Sequence, residues 1–345
     1  MEDVGVDPGF WRGRRVLVTG HTGFKGSWLA LWLQELGAEV AGFGLDPPSS
    51  PSLFEAARIG EGMTDLRGDV RDRGAVADAV AETRPDLVLH LAAQPLVRAS
   101  FEDPVGTYET NVMGTANVLA AGAPAVVVVS SDKCYAPRAD GAPCREGDPL
   151  GGADPYSSSK ACAELVAASW RESFGTAIAT VRAGNVIGGG DWAADRLVPD
   201  AMRAALDGRP LLVRNPDAVR PWQHVLNPLS GYLEVAQRLR EDPAAADAWN
   251  FGPVAGDELP VRAIADRLAA LWGEGLEWRA EGDGGPPETA VLRLDSARAR
   301  ERLGWEPRWD LDEALSATVD WFRAWRGGAD ARAITAAQVA AYTTG

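Results

Sequence analysis

Apolar residues in the first half of the chain follow two alternating patterns. Short, continuous apolar runs are typical of strands buried on both faces, and they occupy residues 16–19, 40–43, 87–91, 126–129 and 177–181. Apolar positions at helical spacing lie between these runs, around 28–36, 76–80, 104–119 and 156–174. The alternation predicts repeated βαβ units, and therefore an α/β fold with a doubly wound parallel sheet of the Rossmann type.

The pattern changes after the glycine triplet at 188–190. Helical segments then alternate with isolated short strands, such as those at 211–213 and 249–251, which predicts a smaller α+β unit. A helix near 227–239 is expected to return to the first unit. The predicted division is a first unit of residues 10–188 with a returning segment of about 221–250, a second unit of 189–220 and 251–326, and an Ala-rich, poorly ordered tail at 327–345.

Composition and charge exclude several classes of function. The 345 residues carry a net charge of −15 without a basic stripe, so we expect no binding to nucleic acid or to an anionic membrane. No apolar run approaches the roughly 18 residues of a membrane helix. Three cysteines without a C-x-x-C pair favour a reducing, cytoplasmic location, and no metal site is expected.

A glycine-rich loop follows the first predicted strand. Gly20, Gly23 and Gly26 have the spacing G-x-x-G-x-x-G at the start of a helix, where free amides would face a dinucleotide pyrophosphate. Asp46 stands about 20 residues beyond, where a carboxylate binds the adenosine ribose. It would repel the additional phosphate of NADP, and no arginine is adjacent to it in sequence, so the pattern favours NAD. The alternative is that Asp46 only begins the turn before two prolines.

Two further residues belong to this hypothesis. Lys25 opposes the dipole of the helix that it begins, which a bound diphosphate would offset, although a solvated side chain is an equal alternative. Asp69 is a candidate contact for adenine, with an ordinary turn residue as the alternative reading.

Tyr156 and Lys160 form the candidate catalytic pair. Four residues apart on a predicted helix, they lie on one face, and a cation beside the phenol would favour the phenolate as a base. Ser131 ends the strand at 126–129, at the edge of the sheet where ligands bind in such folds. It is positioned to donate a hydrogen bond to the substrate hydroxyl that Tyr156 deprotonates, and local backbone capping is its alternative role.

These residues together resemble the extended short-chain dehydrogenase/reductases, and the resemblance covers about residues 14–325. Within that family, several long strings closely resemble the branch of nucleotide-sugar 4,6-dehydratases that acts on CDP-glucose. The strings are TGHTGFKGSW at 19–28, HLAAQ at 90–94, SSDKCY at 130–135, RAGNVIGGGDW at 182–192 and RPWQHV at 220–225.

The resemblance implies a lyase that oxidises carbon 4 of the sugar with NAD, eliminates water across carbons 5 and 6, and returns the hydride to carbon 6. Asp132 and Lys133 would then supply an acid and a base. Relatives that act on dTDP-glucose or GDP-mannose carry Asp-Glu at these positions, so Lys133 would need a lowered pKa, through burial near Lys160.

The resemblance also implies a set of binding residues. The cofactor set comprises Gly20, Thr22, Gly23, Phe24, Lys25, Gly26, Asp46, Asp69, Val70, Leu91, Ala92, Ala93, Asn111, Tyr156 and Lys160. The substrate set comprises Gln94, Ser131, Asn185, Arg196, Leu197, Arg214 and Arg220, with the segment 288–295 near the pyrimidine base. His224 is interpreted as structural.

Other functions remain open at this stage. A dehydratase for dTDP-glucose or GDP-mannose, or a sugar-nucleotide 4-epimerase, would share the loop and the Tyr156/Lys160 pair, and a non-catalytic NAD sensor is a more remote alternative. An epimerase would not need Asp132 and Lys133. Relatives pair through helices equivalent to 104–119 and 156–174, so the resemblance implies a homodimer, with a tetramer as a further alternative.

Overall fold

A computed structural model describes residues 5–273, 275–281 and 291–344. The first part of the segment expected near the pyrimidine base, 288–290, lies outside the described residues. Among the described helices, none combines the length and apolar character needed to cross a membrane.

A seven-stranded sheet is the centre of the molecule, in the order β10-β6-β5-β4-β1-β2-β3, with every neighbouring pair parallel. Successive residues of a strand point to opposite faces, so Val16 and Val18 join one core and Leu17 joins the other. Helices cover both faces. The predicted doubly wound parallel sheet is therefore confirmed.

The element bounds follow the predicted alternation of strands and helices. The strands are β1 Arg15–Thr19, β2 Glu39–Gly44, β3 Thr64–Arg67, β4 Leu87–His90, β5 Ala125–Val129, β6 Ala177–Ala183, β7 Asn185–Ile187, β8 Leu211–Val213, β9 Val219–His224, β10 Ala248–Phe251, β11 Glu258–Pro260 and β12 Trp278–Ala280. The helices are α1 Pro8–Trp11, α2 Phe24–Glu35, α3 Leu53–Ala56, α4 Arg73–Thr83, α5 Val97–Glu102, α6 Pro104–Tyr108, α7 Gly114–Ala120, α8 Pro155–Phe174, α9 Leu197–Asp207, α10 Leu226–Glu241, α11 Val261–Trp272, α12 Ala297–Leu303, α13 Leu311–Arg326 and α14 Ala331–Thr344.

The strand at 249–251 lies in the large sheet, whereas the sequence pattern grouped it with the short strands of the smaller unit and the predicted boundary at about 250 divided it. β10 pairs in parallel with β6, with Trp249 opposite Val181 and Phe251 opposite Ala183. Its four residues are all buried, because a parallel strand covered on both faces needs apolar side chains on both. The preceding helix α10 packs against β5 and β6, so the chain does return to the first sheet.

Two small sheets form the α+β layer above the carboxyl edge of the large sheet. One has the order β11-β9-β7 and the other pairs β12 with β8. β7 follows β6 after only Gly184, and β9 leads into α10. These close connections hold the smaller layer over the ends of β5 and β6.

The tail is an ordered helix, so the prediction of a poorly ordered tail is wrong. α14 packs against α2, α3 and α13 and buries Thr335, Val339 and Tyr342. The Tyr342 hydroxyl lies 3.1 Å from that of Ser230, and Trp321 donates a hydrogen bond to Thr335. Small residues at helical spacing allow this close packing, and composition alone does not report it.

Glu234 on α10 predicts a pH dependence of stability. Its Oε2 is buried without a hydrogen-bond partner, and burial raises its pKa from 4.5 to about 7, opposed by Arg308 and Arg238. The folded state therefore binds more protons than the unfolded state between those pH values, and stability falls as pH rises through that window, by about 3 kcal/mol.

We expect Glu234→Gln to remove this dependence, because the amide resembles the protonated acid. The variant should melt above the wild type at pH 8 and close to it at pH 4.5, as measured by calorimetry. Glu82→Gln on the exposed face of α4 serves as the control. If the melting temperatures of Glu234→Gln and the wild type changed equally with pH between pH 4.5 and pH 8, the assignment would be contradicted.

Candidate functional site

The carboxyl edge of the large sheet and the smaller layer enclose a cavity of about 680 Å³. Parallel register brings the ends of β1, β4 and β5 to this edge, with Thr19 paired to His90 and His90 to Val128. The cavity is lined by most of the residues expected from the sequence, namely Gly20, Thr22, Gly23, Phe24, Lys25, Gly26, Asp46, Asp69, Val70, Leu91, Ala92, Ala93, Ser131, Asp132, Lys133, Tyr156, Lys160, Asn185, Arg196, Leu197, Arg214 and Arg220.

The glycine loop has the shape that a pyrophosphate requires. Gly20 has φ of 72°, and a Cβ there would lie 2.7 Å from the Ala92 nitrogen. A Cβ on Gly26 would collide with the Gly20 carbonyl. Helix α2 begins after Gly23 without a side-chain cap, so its first amides are free for an anion. The observed loop therefore fits a dinucleotide on geometric grounds.

The outer part of the loop holds the residues expected near adenosine. Thr22 donates a hydrogen bond of 3.0 Å to the Leu45 carbonyl, which ties the loop to the end of β2. The Asp46 side chain is 92% exposed and free to bind a ribose. Arg67 lies 3.6 Å from it, so an arginine does stand beside Asp46, contrary to the sequence expectation. That arginine ends β3, the next strand in the chain.

Asp69 lies at the same edge, one strand further along the sheet. Its carboxylate accepts hydrogen bonds from the Arg71 guanidinium, and this interaction holds its pKa below the usual range. Val70, which follows, is buried against Gly114.

Lys25 points into the cavity from the first turn of α2. Its Nζ lies 3.5 Å from the Tyr232 hydroxyl. Burial lowers its pKa from 10.5 to about 7, and the nearby positive charges of Arg196 and Lys160 lower it further, while Asp132 opposes them. The lysine is therefore a cation held in place at an energetic cost, which an anionic ligand would offset.

Tyr156 and Lys160 lie on the first turns of α8, which Asp154 caps and Pro155 begins. Lys160 donates a hydrogen bond of 3.1 Å to the Val129 carbonyl, and burial lowers its pKa to about 8. Burial raises the pKa of Tyr156 to about 12, and the influences that lower it are a hydrogen bond with Ser131 and the charge of Arg196. The expected effect of Lys160 on the phenol is not among them.

Ser131 and Asp132 line the cavity beside Tyr156. Ser131 caps a single 3-10 turn, Asp132–Cys134, and donates a hydrogen bond of 3.0 Å to the Asp132 carboxylate. The other Asp132 oxygen, Oδ2, is buried without a partner, and burial raises the pKa of this carboxyl. A carboxyl with a raised pKa keeps its proton to higher pH than an exposed aspartate does, which suits it to the role of a proton donor. Lys133 is only partly buried, so the burial expected of it is incomplete.

The substrate side of the cavity contains several arginines. Arg196 and Arg214 are oriented by carboxylates, Asp191 at 3.4 Å and Asp195 at 2.7 Å. Asn185 begins β7 and Arg220 lies on β9, so the small sheet brings them together.

Arg98 also lines the cavity, and sequence reasoning missed it. It follows β4 on α5, and its Nη1 lies 3.8 Å from Asp195, which is in the left-handed region with φ of 60°. The only sequence signal was its position shortly after the string at 90–94.

Gln94 and Asn111 are placed differently from the other expected residues. Neither is part of the cavity lining. The Asn111 side chain accepts a hydrogen bond from the backbone N–H of Gln94 and donates one of 2.9 Å to Ser159 on α8. The Gln94 side chain is hydrogen-bonded to Leu96 and Thr107. In the structure these two residues connect the end of β4 to the helix of Tyr156.

His224 is completely buried at the end of β9, between the rings of Trp28 and Trp309. Burial lowers its pKa to about 3, so it is neutral near pH 7. The structural interpretation fits this position. Among the described residues, no group of three or more His, Cys, Asp or Glu side chains is arranged to hold a metal ion.

Comparison with known proteins agrees with this geometry. Residues 16–252 match the model of the NAD dependent epimerase/dehydratase family. The chain belongs to this family. A CDP-glucose 4,6-dehydratase of Salmonella typhimurium is 50% identical over 340 residues, covering 94% of this chain and 95% of that protein. The resemblance to the CDP-glucose branch seen in the sequence strings is thereby confirmed.

Solved structures of the family share the fold across both of its activities. A UDP-glucose 4-epimerase of Thermus thermophilus in complex with NAD has a TM-score of 0.77 at 28% identity and covers 90% of this chain and 99% of its own. A DesIV double mutant, a dTDP-glucose 4,6-dehydratase from Streptomyces venezuelae with NAD bound, has a TM-score of 0.76 at 27% identity and covers 91% and 98%. Fold alone therefore does not separate epimerase from dehydratase within the family.

Proposed function

We propose that this protein is a hydro-lyase, an NAD-dependent CDP-glucose 4,6-dehydratase that forms CDP-4-keto-6-deoxyglucose and water. The observation that carries the proposal is the pairing of an intact Ser131/Tyr156/Lys160 set with a buried, partnerless carboxyl oxygen on Asp132. An epimerase needs the first set and has no use for the second, whereas elimination of water needs a proton donor. The 50% identity to a CDP-glucose 4,6-dehydratase supports the choice of substrate.

The residues on the nucleotide side suit NAD. The loop from Gly20 to Gly26 would hold the pyrophosphate, Asp46 the adenosine ribose, and Tyr156 with Lys160 the nicotinamide ribose. When bound, NAD supplies a reversible two-electron oxidation, taking hydride from carbon 4 of the sugar and returning it to carbon 6.

The protein side chains move the protons of the reaction. Tyr156 as phenolate accepts the proton of the 4-hydroxyl, assisted by its hydrogen bond with Ser131. The new ketone acidifies carbon 5, whose proton goes to a base, for which Lys133 is the candidate. The base returns a proton to carbon 5 when carbon 6 receives the hydride. Asp132 gives its proton to the hydroxyl leaving carbon 6, so the C6–O bond breaks and water departs.

Arginines on the substrate side would hold the diphosphate. Arg196, Arg214 and Arg220 project into the cavity from α9, the loop after β8 and β9. Forked guanidinium groups suit phosphate oxygens, and the local positive charge offsets the net charge of −15 for an anionic ligand. Asn185 and Leu197 complete this side.

The division into units follows the same logic. In our proposal residues 10–188, with the returning segment of about 221–250, bind NAD, and residues 189–220 and 251–326 bind the nucleotide sugar. The described cysteines are free, and Cys134 and Cys144 are buried, which supports a reducing, cytoplasmic location.

The proposal is tested by incubating the protein and NAD with CDP-glucose, dTDP-glucose or GDP-mannose in separate reactions. The masses of the products are then measured by mass spectrometry. A loss of one water from the CDP sugar is expected. Loss of water from another of the three sugars would change the nucleotide assignment. A product of unchanged mass that differs in chromatography would identify a 4-epimerase, and no turnover of any sugar would favour a sensor.

A label on carbon 4 tests the internal redox cycle. Deuterium placed there should appear on carbon 6 of the product, because the same two electrons leave and return. Deuterium retained at carbon 4 would exclude the redox route, even if water were lost.

We also propose a homodimer, through the face formed by α5 to α8. Five of the nine large apolar residues exposed in the described part of the chain belong to this face. They are Phe101, Val105, Tyr108, Met113 and Leu165. Such a patch favours association with a matching surface.

The dimer is tested by Leu165→Glu, which places a charge at the centre of this face. We expect a monomer by light scattering, where the wild type is dimeric. Phe174→Glu, on the same helix but beyond the patch, is the control because its side chain is 68% exposed. A wild type that is monomeric at micromolar concentration would overturn the proposal.

A further inference from the structure

A buried polar network lies directly beneath the catalytic residues and is not part of the cavity lining. Arg182 on β6 is its centre. The guanidinium forms a bidentate pair with Glu164 on α8, through Nε and Nη2 at 2.8 Å each. Both side chains are about 3% exposed or less. Thr180 donates a further hydrogen bond of 2.6 Å to Glu164.

The same guanidinium also holds Tyr135. Its Nη1 donates a hydrogen bond of 2.7 Å to the Tyr135 hydroxyl, and its Cζ lies 4.8 Å from the centre of the Tyr135 ring. The hydroxyl in turn donates a hydrogen bond of 2.7 Å to Oδ1 of Asn250 on β10. Tyr135 therefore has a fixed position, with both its hydrogen-bonding directions used.

Each end of the network is joined to one half of the catalytic site. Glu164 lies one helical turn after Lys160 and two after Tyr156, on the helix that carries the oxidation pair. Tyr135 ends the 3-10 turn that holds Asp132 and Lys133. Arg182 is the link between them.

We infer that the Glu164–Arg182–Tyr135 network is a positioning device, which fixes the turn of Asp132 and Lys133 relative to the helix of Tyr156 and Lys160. The inference rests on the proposed function, because it assumes that the turn performs the elimination and the helix performs the oxidation. The two chemical steps act on adjacent carbon atoms of one sugar, so the turn and the helix pair must both be correctly positioned around the same bound sugar. A displacement of about 1 Å lowers the rate by up to a hundredfold. A buried, fully hydrogen-bonded network supplies this rigidity.

A structural role alone would give a different pattern of effects. A network that only stabilises the fold would alter melting temperature without favouring one step of the reaction. A positioning network acts on the elimination, because loosening Tyr135 frees the turn while Arg182 still holds Glu164 and the helix.

The test is Tyr135→Phe, with Tyr342→Phe as the matched control. Both remove a buried phenol hydroxyl that is hydrogen-bonded, and Tyr342 contacts Ser230 on α10, away from the turn. We expect both variants to have a lower melting temperature than the wild type. Only Tyr135→Phe should have a lower kcat, by about tenfold to a hundredfold, with KM unchanged.

Isotope effects identify the step that is slowed. In Tyr135→Phe, deuterium at carbon 5 should slow turnover more than in the wild type, whereas deuterium at carbon 4 should not. An equal loss of melting temperature in both variants with wild-type kcat would overturn the inference, as would an increased effect at carbon 4. Arg182→Lys, which keeps the charge and loses the fork, loosens the helix as well as the turn, so the isotope effects at carbon 4 and at carbon 5 should both increase. It replaces Tyr135→Phe if that variant does not fold, and isotope effects unchanged at both carbons would then overturn the inference.

Hydrogen exchange separates this inference from the proposed function. The amides of residues 131–135 should exchange faster in Tyr135→Phe than in Tyr342→Phe, whatever the substrate. Unchanged exchange in the turn would refute the positioning role even in an active enzyme. An inactive wild type would refute the proposed function and leave this measurement still interpretable.

Discussion

Tyr156→Phe is expected to lower kcat about a thousandfold while leaving NAD bound. The phenol lies next to Ser131 and on the same helix face as the buried Lys160, and it loses its hydroxyl in this variant. General-base catalysis contributes about 10²- to 10⁴-fold to such reactions. The ring itself remains, so the walls of the cavity are retained. Product formation is measured by mass spectrometry and NAD binding by equilibrium dialysis.

The pH dependence of the wild type gives a second test of this residue. Burial raises the pKa of Tyr156 to about 12 in the protein alone, so the phenolate must gain stabilisation when ligands bind. We therefore expect kcat to rise with pH along its acidic limb. Tyr342→Phe should retain wild-type turnover. Loss of NAD from Tyr156→Phe would show that the main role of the hydroxyl is to hold the cofactor, and would overturn its assignment as the base.

Asp132→Asn is expected to lower kcat a hundredfold or more by a different route, since general-acid catalysis is worth about 10²- to 10⁴-fold. An asparagine fills the same space but has no proton to give to the leaving hydroxyl. Burial raises the pKa of the Asp132 carboxyl, so the wild type keeps its acid protonated to higher pH than an exposed aspartate. As pH rises through that pKa the acid is lost, and the elimination rate should fall.

The result of Asp132→Asn is best measured with sugar labelled at carbon 4. We expect slow product whose label, where product forms, still resides on carbon 6. Asp257→Asn is the matched control, because burial raises the pKa of Asp257 to about 6 and the residue lies outside the cavity lining. Turnover by Asp132→Asn at the wild-type rate would remove the proton donor from the mechanism and weaken the case against an epimerase.

Local sequence patterns predicted the large sheet well, because its strands are covered on both faces. The runs at 126–129 and 177–181 could only be strands of a parallel sheet. β3 was harder to recognise, because most of its residues are exposed at the edge of the sheet. The helix α14 was wrongly predicted to be a poorly ordered tail for a related reason. Its small residues do not indicate which side chains they pack against, and its contacts with Trp321 and Trp32 are visible only in the tertiary structure.

The candidate site was predicted where its chemistry is local. The glycine loop and the pair Tyr156/Lys160 have fixed spacing within one loop or one helix, so their geometry follows from backbone rules. The partners that come from distant strands did not follow from those rules. Arg67 reaches Asp46 from β3, and Arg98 reaches Asp195 from α5.

The sequence by itself determined the order of strands and helices, the anion-binding loop and the spacing of the reacting groups, because each of these depends on neighbours within a few turns of chain. Only the tertiary structure decided the ionisation of those groups. The unpartnered oxygen of Asp132 and the lowered pKa of Lys25 arise from desolvation by segments far apart in the chain. Burial and distant charges set the free energy of a proton, and neither is a property of local sequence.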